Sequence, residues 1–323
     1  MVKRHPHSPV ITREDISSTD PRLFDVTSVF NPGGIYHQGQ IILLLRVQNR
    51  GRETYLVKAT SRDGIEFDIA TKPVEIRGMQ DFPYPYYHIY DPRIVYIEGR
   101  YLVTCAVDSE AGCRVVLFES EDLDTLSYLG VLSDEGQRNG VLFPHRIEGR
   151  YWMLSRPNDH LGADGVRSGT RILAYASDDL CAWEEQGIVM QGRSHFWDEL
   201  IGSGPPPLLT ELGWLHIYHG VATHFGGGGI YQAGVSLLDA TEPHKLLARG
   251  VYNILEPRAD YETMGQVPNV VFPTVAINPV EGPLGMDTPI YIYYGAADSC
   301  IGLATTTLRT LLPYSGIDLG ALP

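Results

Sequence analysis

Cysteine is scarce: four in 323 residues, and Cys105, Cys113, Cys181 and Cys300 form no Cys-x-x-Cys pair and stand at no zinc-ligand spacing. A disulfide framework and a structural zinc are therefore excluded, and free, buried thiols are expected. Long apolar runs are missing too, since the longest aliphatic stretch, residues 41–45, is far too short to cross a bilayer. Residues 1–9 carry charge with no apolar stretch behind them and do not read as a secretory signal, which places the chain in the cytoplasm. Positive charge is in deficit, with 25 Lys and Arg against 39 Asp and Glu and a net charge of −14. No basic face is available for nucleic acid or an anionic membrane, although a local arginine pocket for a small anion stays open. Eleven histidines include no His-Glu-x-x-His pattern, and His5, His7 and His37 lie in a polar arm or a turn, so no metal is expected. Sustained helical periodicity is absent; 239–249 and 304–312 read as short helices at most. The glycine- and proline-rich run Gly202-Ser203-Gly204-Pro205-Pro206-Pro207 is followed by neither Lys-Ser/Thr nor a helix. That excludes P-loop and Rossmann readings and leaves a rigid polyproline-like loop at a channel mouth.

What the chain does have is 43% hydrophobic residues, 10% of the chain being aromatic, and a recurring strand pattern. A turn precedes four to six apolar or β-branched residues, which end on a polar one. Gly39 leads through Ile41-Ile42-Leu43-Leu44-Leu45 to Arg46, and Gly99 through Tyr101-Leu102-Val103-Thr104. Gly149 leads through Tyr151-Trp152-Met153-Leu154 to Arg156, Gly213 through 214–218 to His219, and Thr288-Pro289 through 290–294 to Asp298. A second motif follows three of these strands: Ser61-Arg62-Asp63-Gly64, Ser120-Glu121-Asp122-Leu123 and Ser177-Asp178-Asp179-Leu180, with Phe67 and Trp183 close behind. These read as hairpin turns that tuck an aromatic between sheets. Copies of a sheet-sized unit at intervals of roughly 50 to 75 residues predict an all-β fold, a five-bladed β-propeller, in preference to a pair of β-sandwiches. The chain reads as one domain over 1–323, with residues 1–20 as an N-terminal arm. Equivalent strand ends gather at one mouth of a propeller, so Arg46, Arg156, His219 and Asp298 are expected to converge on a polar, hydroxyl-rich or anionic ligand.

The chemistry centres on Tyr87-His88-Ile89-Tyr90-Asp91-Pro92-Arg93. Pro92 removes a donor and biases Asp91 toward extended geometry, so the dipeptide reads as a strand entrance. Flanked by Tyr86, Tyr87, His88 and Tyr90, the Asp91 carboxyl is expected to be partly desolvated, with the raised pKa of a general acid. The bland alternative pairs Asp91 with Arg93 or makes it a turn cap. Residues 226–229, four glycines after His224-Phe225, are either a surface loop or a lid over the site.

Taken in order, Asn31-Pro32-Gly33-Gly34, Asp91-Pro92-Arg93, Ser155-Arg156-Pro157, Gly202-Ser203-Gly204-Pro205-Pro206, Tyr218-His219-Gly220-Val221, Val267-Pro268-Asn269-Val270-Val271-Phe272 and Tyr294-Gly295-Ala296-Ala297-Asp298 resemble glycoside hydrolase family 130. This is the family of mannoside phosphorylases and related β-mannosidases, and the resemblance runs from about Asn31 to Leu312. It implies a five-bladed propeller with Asp91 as the general acid, protonating the glycosidic oxygen through the 3-hydroxyl of the mannosyl unit. It further implies phosphate held by Arg138, Arg156 and His219, with Asn139 and Tyr231 nearby, and a sugar site formed by Asn31, Arg46, Asp298, Glu262, Tyr90 and Arg93. No cofactor is implied beyond inorganic phosphate as co-substrate; assembly into homo-oligomers is. The chemical logic stands independently: an inverting hydrolase needs a second carboxylate to activate water, whereas phosphate attack needs one acid and a cationic cradle. Two positions depart from the family pattern. Leu200 replaces a lysine found among the phosphate ligands of many members, and Tyr90 stands where relatives often carry an acid. The resulting reading is an inverting β-mannoside phosphorylase that yields α-mannose 1-phosphate, with β-1,2 linkages placed ahead of β-1,4 on the Ile89-Tyr90 departure. Its rivals are a β-mannosidase using Glu199 or Glu262 as base, and a non-catalytic glycan-binding propeller.

Overall fold

Three of the repeated glycines close two-residue hairpins. Gln38-Gly39, Glu98-Gly99 and Glu148-Gly149 all have positive φ, at 51° and 76°, 53° and 84°, and 50° and 79°. Such paired left-handed residues match the twist of the strands they join, and glycine takes the second position without steric cost. The computed structural model describes residues 2–134, 136–162, 165, 167–223, 228–280 and 284–322.

The strands form five blades, antiparallel but for one added edge strand, whose first strands neighbour one another around a central axis, and a separate two-stranded ribbon of His160–Leu161 with Arg167–Ser168. Blade 1 comprises Val26–His37, Gln40–Asn49, Thr54–Ser61 and Asp68–Ile69. Blade 2 comprises Tyr86–Ile97, Arg100–Ser109, Gly112–Ser120 and Thr125–Val131, with Glu75–Arg77 added in parallel at its edge. Blade 3 comprises Gln137–Leu142, Tyr151–Pro157, Arg171–Ser177 and Glu184–Gln191. Blade 4 comprises Leu200–Ser203, Gly213–Ala222, Ile230–Leu238 and Leu246–Arg249. In blade 5, Val271–Ile277, Ile290–Ala296 and Cys300–Thr306 are completed by Lys3–Arg4, which pairs with the last strand. The two ends of the chain thus close the ring together. The fold is the expected five-bladed propeller.

Apolar side chains meet between blades rather than in one central mass. Leu43, Leu45 and Val57 pack against Val275, Tyr293 and Leu303, joining blades 1 and 5. Val95, Leu102 and Leu117 pack against Leu142, Tyr151 and Met153, joining blades 2 and 3. The Ser-x-Asp turns are as read: the Ser61, Ser120 and Ser177 hydroxyls accept from the N–H groups of Gly64, Leu123 and Leu180. Asp63, Asp122 and Asp179 each accept backbone N–H groups two and three residues on.

Three expectations are corrected. Residues 239–249 are not a helix, because Asp239 takes the N–H groups of Thr241 and Glu242 in a fourth turn of the same kind, which leads into Leu246–Arg249. The helix near the C-terminus is Leu308–Tyr314, beginning only after the last strand of blade 5 ends. Cys181 is exposed, while Cys105, Cys113 and Cys300 are buried, all four unpaired. The Gly202 stretch divides between the inner strand of blade 4 and a proline loop whose Pro206 and Pro207 line a cavity at the C-terminal ends of the inner strands. No helix among the described residues is long and apolar enough to cross a membrane.

Candidate active site

The inner strands of blades 1, 2 and 3 break register at matching points, between Phe30 and Gly33, Tyr90 and Arg93, and Arg138 and Val141. The residues at these bulges, Asn31, Asp91 and Asn139, have φ of 43°, 53° and 55°. Asn and Asp tolerate this left-handed conformation better than other side chains, and a bulge re-aims the side chain it carries. All three reach one cavity of about 390 Å³. Asp91-Pro92 is therefore no strand entrance: it lies in the middle of Tyr86–Ile97, where the missing proline donor falls at a bulge that breaks the ladder anyway. Close approach is needed here, for a Cβ on Gly33 would lie 2.6 Å from the Pro92 carbonyl oxygen and one on Gly202 2.5 Å from the His219 ring.

Blades 5, 1 and 2 form one wall of the cavity. Arg46 donates to the Asp91 carboxylate at 2.8 Å and Asn31 donates to the same oxygen at 3.1 Å. The Arg46 guanidinium is held between the Phe30 and Tyr90 rings at 4.4 and 4.5 Å, a cation–π sandwich that fixes its direction. Asp298 completes this wall. Burial pushes its carboxyl up to about 6, Arg46 opposing and Asp91 reinforcing the shift. The aromatic setting expected around Asp91 is thus replaced by Arg46 and Asn31, while Tyr86 and Tyr87 project to the surface.

Blades 3 and 4 form the opposite wall. Arg138, Asn139, Arg156 and Tyr231 line the cavity, and His219 is buried just behind, its Nε2 3.5 Å from Arg156 Nη1 and its ring 4.6 Å from Phe272. Burial pushes the Arg156 guanidinium down to about 10, and no carboxylate stands among the groups acting on it. Burial and the neighbouring arginines hold His219 well below its ordinary range, so the imidazole is uncharged at neutral pH and the arginines supply the positive charge. Arg138 Nε, Arg156 Nε, His219 Nδ1 and Asn139 Oδ1 are all buried without a hydrogen-bond partner.

Tyr90 divides the two walls. Its ring lies between Arg46 at 4.5 Å and Arg138 at 5.8 Å, and its hydroxyl donates to Asp108 at 3.0 Å, which also takes Arg138 Nη2 at 3.2 Å. Room for this ring exists because Ala106 sits opposite Tyr90, where blades 1 and 3 place Arg46 and Arg156 opposite Phe30 and Arg138. Asp108 was not singled out from the sequence, although Arg100–Ser109 does run on to a polar end as the other repeats do. Val267, Val270 and Phe272 also line the cavity; they stand in a stretch that carries the family resemblance, but as apolar residues they were given no site role.

Two residues expected at the sugar lie elsewhere. Glu262 is fully buried away from the cavity and accepts from Arg4 at 2.7 Å through each oxygen, from the Tyr294 hydroxyl at 2.8 Å, and from the Arg258 and Ala259 N–H groups at 2.8 and 2.9 Å. Its charge is spent on holding the N-terminal strand to blade 5. Arg93 is buried beneath the bulge, donating to the carbonyls of Gly204, Asp91 and Pro92 at 2.6, 3.0 and 3.0 Å. It braces the Asp91 backbone and does not pair with its carboxylate. Leu200 is buried in the inner strand of blade 4, two residues from Gly202 and on the same face of the strand. Of the four glycines read as either a surface loop or a lid, Gly228 and Gly229 line the cavity, while Gly226 and Gly227, with His224 and Phe225 before them, lie outside the described residues. Among the described residues no cluster of three His, Cys, Asp or Glu is placed to hold a metal.

The fold recurs in known proteins. The family model described as beta-1,4-mannooligosaccharide phosphorylase matches residues 1–315. A 1,2-beta-oligomannan phosphorylase from Thermoanaerobacter sp. is 32% identical over 302 residues, covering 88% of this chain and 91% of that protein. A beta-1,4-mannooligosaccharide phosphorylase from Ruminococcus albus is 30% identical, covering 97% of this chain and 90% of that one. Among solved structures, the beta-1,2-mannobiose phosphorylase from Listeria innocua, in complex with beta-1,2-mannobiose, superimposes with a TM-score of 0.81 at 26% identity, covering 98% of this chain and 99% of that chain. With a match that spans nearly its whole length and two walls of opposite chemistry around one propeller mouth, the chain belongs to glycoside hydrolase family 130.

Proposed function

We propose that the protein is an inverting β-mannoside phosphorylase. The observation that carries this reading is the blade 3 and 4 wall, where Arg156 is buried with no carboxylate among the groups acting on it and the Nε donors of Arg138 and Arg156 are buried without a partner. A buried cation left unpaired is costly, and a bound phosphate dianion supplies the missing charge and the hydrogen-bond acceptors. The mannosyl unit takes the opposite wall, with Asn31, Arg46 and Asp298 meeting its hydroxyls. A phosphate oxygen attacks C1, the bond from C1 to the glycosidic oxygen breaks, and its electron pair leaves with that oxygen. Asp91 delivers a proton to it through the 3-hydroxyl of the mannosyl unit. The products are α-mannose 1-phosphate and an acceptor shortened by one mannosyl unit.

Hydrolysis in the same cavity needs a second carboxylate to activate water. Neither glutamate considered for that task is available: Glu262 is enclosed with Arg4, and Glu199 accepts from the Thr223 hydroxyl and does not line the cavity. The carboxylates that do line it besides Asp91 are occupied differently, Asp108 with Tyr90 and Arg138, and Asp298 on the sugar side. Of the two linkages, we place β-1,2 first. That choice is supported by the relative at 32% identity and by the structural neighbour bound to beta-1,2-mannobiose, while the relative at 30% keeps β-1,4 as the second reading. Four unpaired cysteines support a reducing, cytoplasmic setting. The test is sugar release from β-1,2- and β-1,4-mannobiose with and without inorganic phosphate, following mannose 1-phosphate. Phosphate-dependent mannose 1-phosphate is expected, and free mannose formed without phosphate would replace the reading with hydrolysis.

A further inference from the structure

A second groove, of about 340 Å³, opens between blades 1 and 2 next to the catalytic cavity. Ile89 and Leu56, both buried, are part of its lining. Ile89 immediately precedes Tyr90 of the cavity wall, and Leu56 lies across the strand pair from Arg46, the partner of Asp91. From there the groove follows the strand back to Tyr87 and Tyr86, which are four and five residues from Asp91, at most about 17 Å along the chain. This is the span of a few sugar units.

The lining matches a sugar more than any other ligand of that size. Tyr86 and Tyr87 are 43% and 60% exposed, Tyr86 packing at a right angle to the Phe82 ring with centroids 6.2 Å apart. Tyr55 lies across the groove with the Arg22 guanidinium 6.0 Å over its ring. Glu53 and Glu75 stand at the rim. Aromatic faces pack against the C–H faces of pyranose rings, while carboxylates and a guanidinium take the equatorial hydroxyls; this mixture is poorly suited to an apolar or strongly anionic ligand. The direction also fits. Inversion sets nucleophile and leaving group on opposite sides of C1, and with phosphate on blades 3 and 4 the acceptor departs toward Asp91 and blades 1 and 2.

Resting on the phosphorylase reading for the direction of the chain, we propose that this groove is a distal acceptor-side subsite, which holds hexosyl units of a mannooligosaccharide beyond the bond that is cleaved and sets a preference for longer chains. The probes are β-mannobiose and β-mannohexaose of one linkage, titrated calorimetrically into the Asp91→Asn protein, which binds without turnover. The hexaose is expected to bind about tenfold more tightly than the biose, and adding Tyr87→Ala should remove that advantage while leaving the biose affinity within about twofold. Tyr87→Trp, which keeps a flat face, should restore it. Equal affinities for the two sugars, or an equal loss for both in Tyr87→Ala, would overturn the proposal. So would a change in solution mass in Tyr87→Ala with both affinities unaltered, since the tyrosines would then be a subunit contact. Turnover of mannobiose by the unsubstituted chain tests the catalytic reading separately, and the binding comparison stands or falls without it.

Discussion

Asp298 and Asp91 share one wall of the cavity, and they differ in what surrounds them. Asp91 has Arg46 and Asn31 on one oxygen, whereas Asp298 is pushed up to about 6 by burial. A carboxyl raised above its unfolded value, about 3.9, costs nothing below that pH and destabilises the folded chain increasingly between there and about 6, above which the penalty is constant. Asp298→Asn should therefore stabilise the sugar-free protein by on the order of 1 kcal/mol at pH 8, with solvent access discounted, and the gain should shrink as pH falls through 6. Denaturation midpoints of both proteins between pH 5 and 8 check this; a gain that does not vary with pH would contradict it. At Asp108 the effect is on one substrate only. It holds Arg138 at 3.2 Å and the Tyr90 hydroxyl at 3.0 Å, so Asp108→Asn keeps the shape but releases the guanidinium from a charged partner. The expected outcome is a rise of about tenfold in KM for phosphate, about 1.4 kcal/mol, with KM for the mannoside changed far less. Steady-state kinetics with each substrate varied in turn separates the two.

The bulges and hairpins show why some elements were legible in the sequence and others were not. Hairpin turns are local: Gln38-Gly39, Glu98-Gly99 and Glu148-Gly149 carry their own signal, and from them the blade count follows. The polar residue that ends a repeat was equally readable, which is how Arg46, Arg156 and Asp298 were placed together. The bulge at Asp91 was not, since proline's local bias argues for an entrance and only pairing with Arg100–Ser109 shows the strand continuing on both sides. Glu262 failed for a related reason. Its partner Arg4 is 258 residues away in sequence, so nothing local marks the pair. That pair pins the closing strand of blade 5, and because the Arg4 side chain is 26% exposed it is worth less than a fully buried ion pair. Arg4→Ala is expected to cost on the order of 2 kcal/mol at neutral pH, read as a lower denaturant midpoint with an unchanged slope. An unaltered midpoint would show that the tyrosine and backbone donors around Glu262 suffice.

At the scale of the whole molecule, the propeller divides a single cavity between blades. Blades 5, 1 and 2 present Asp298, Asn31, the Arg46–Asp91 pair and Tyr90, and blades 3 and 4 present Arg138, Asn139, Arg156 and Tyr231. An acidic chain, −14 overall, thereby concentrates positive charge at one inner wall. On the proposed reading, Leu200 on that side leaves phosphate to Arg138, Arg156 and the uncharged His219, two positive charges against a dianion. The most direct test is the release of mannose 1-phosphate from β-1,2-mannobiose by the unsubstituted protein and by Asp91→Asn, each with and without inorganic phosphate. The division of the cavity predicts product only with phosphate and at least a hundredfold loss of rate in Asp91→Asn, in keeping with the loss of a general acid. Free mannose released at the same rate without phosphate, or an Asp91→Asn protein as fast as the unsubstituted one, would contradict it.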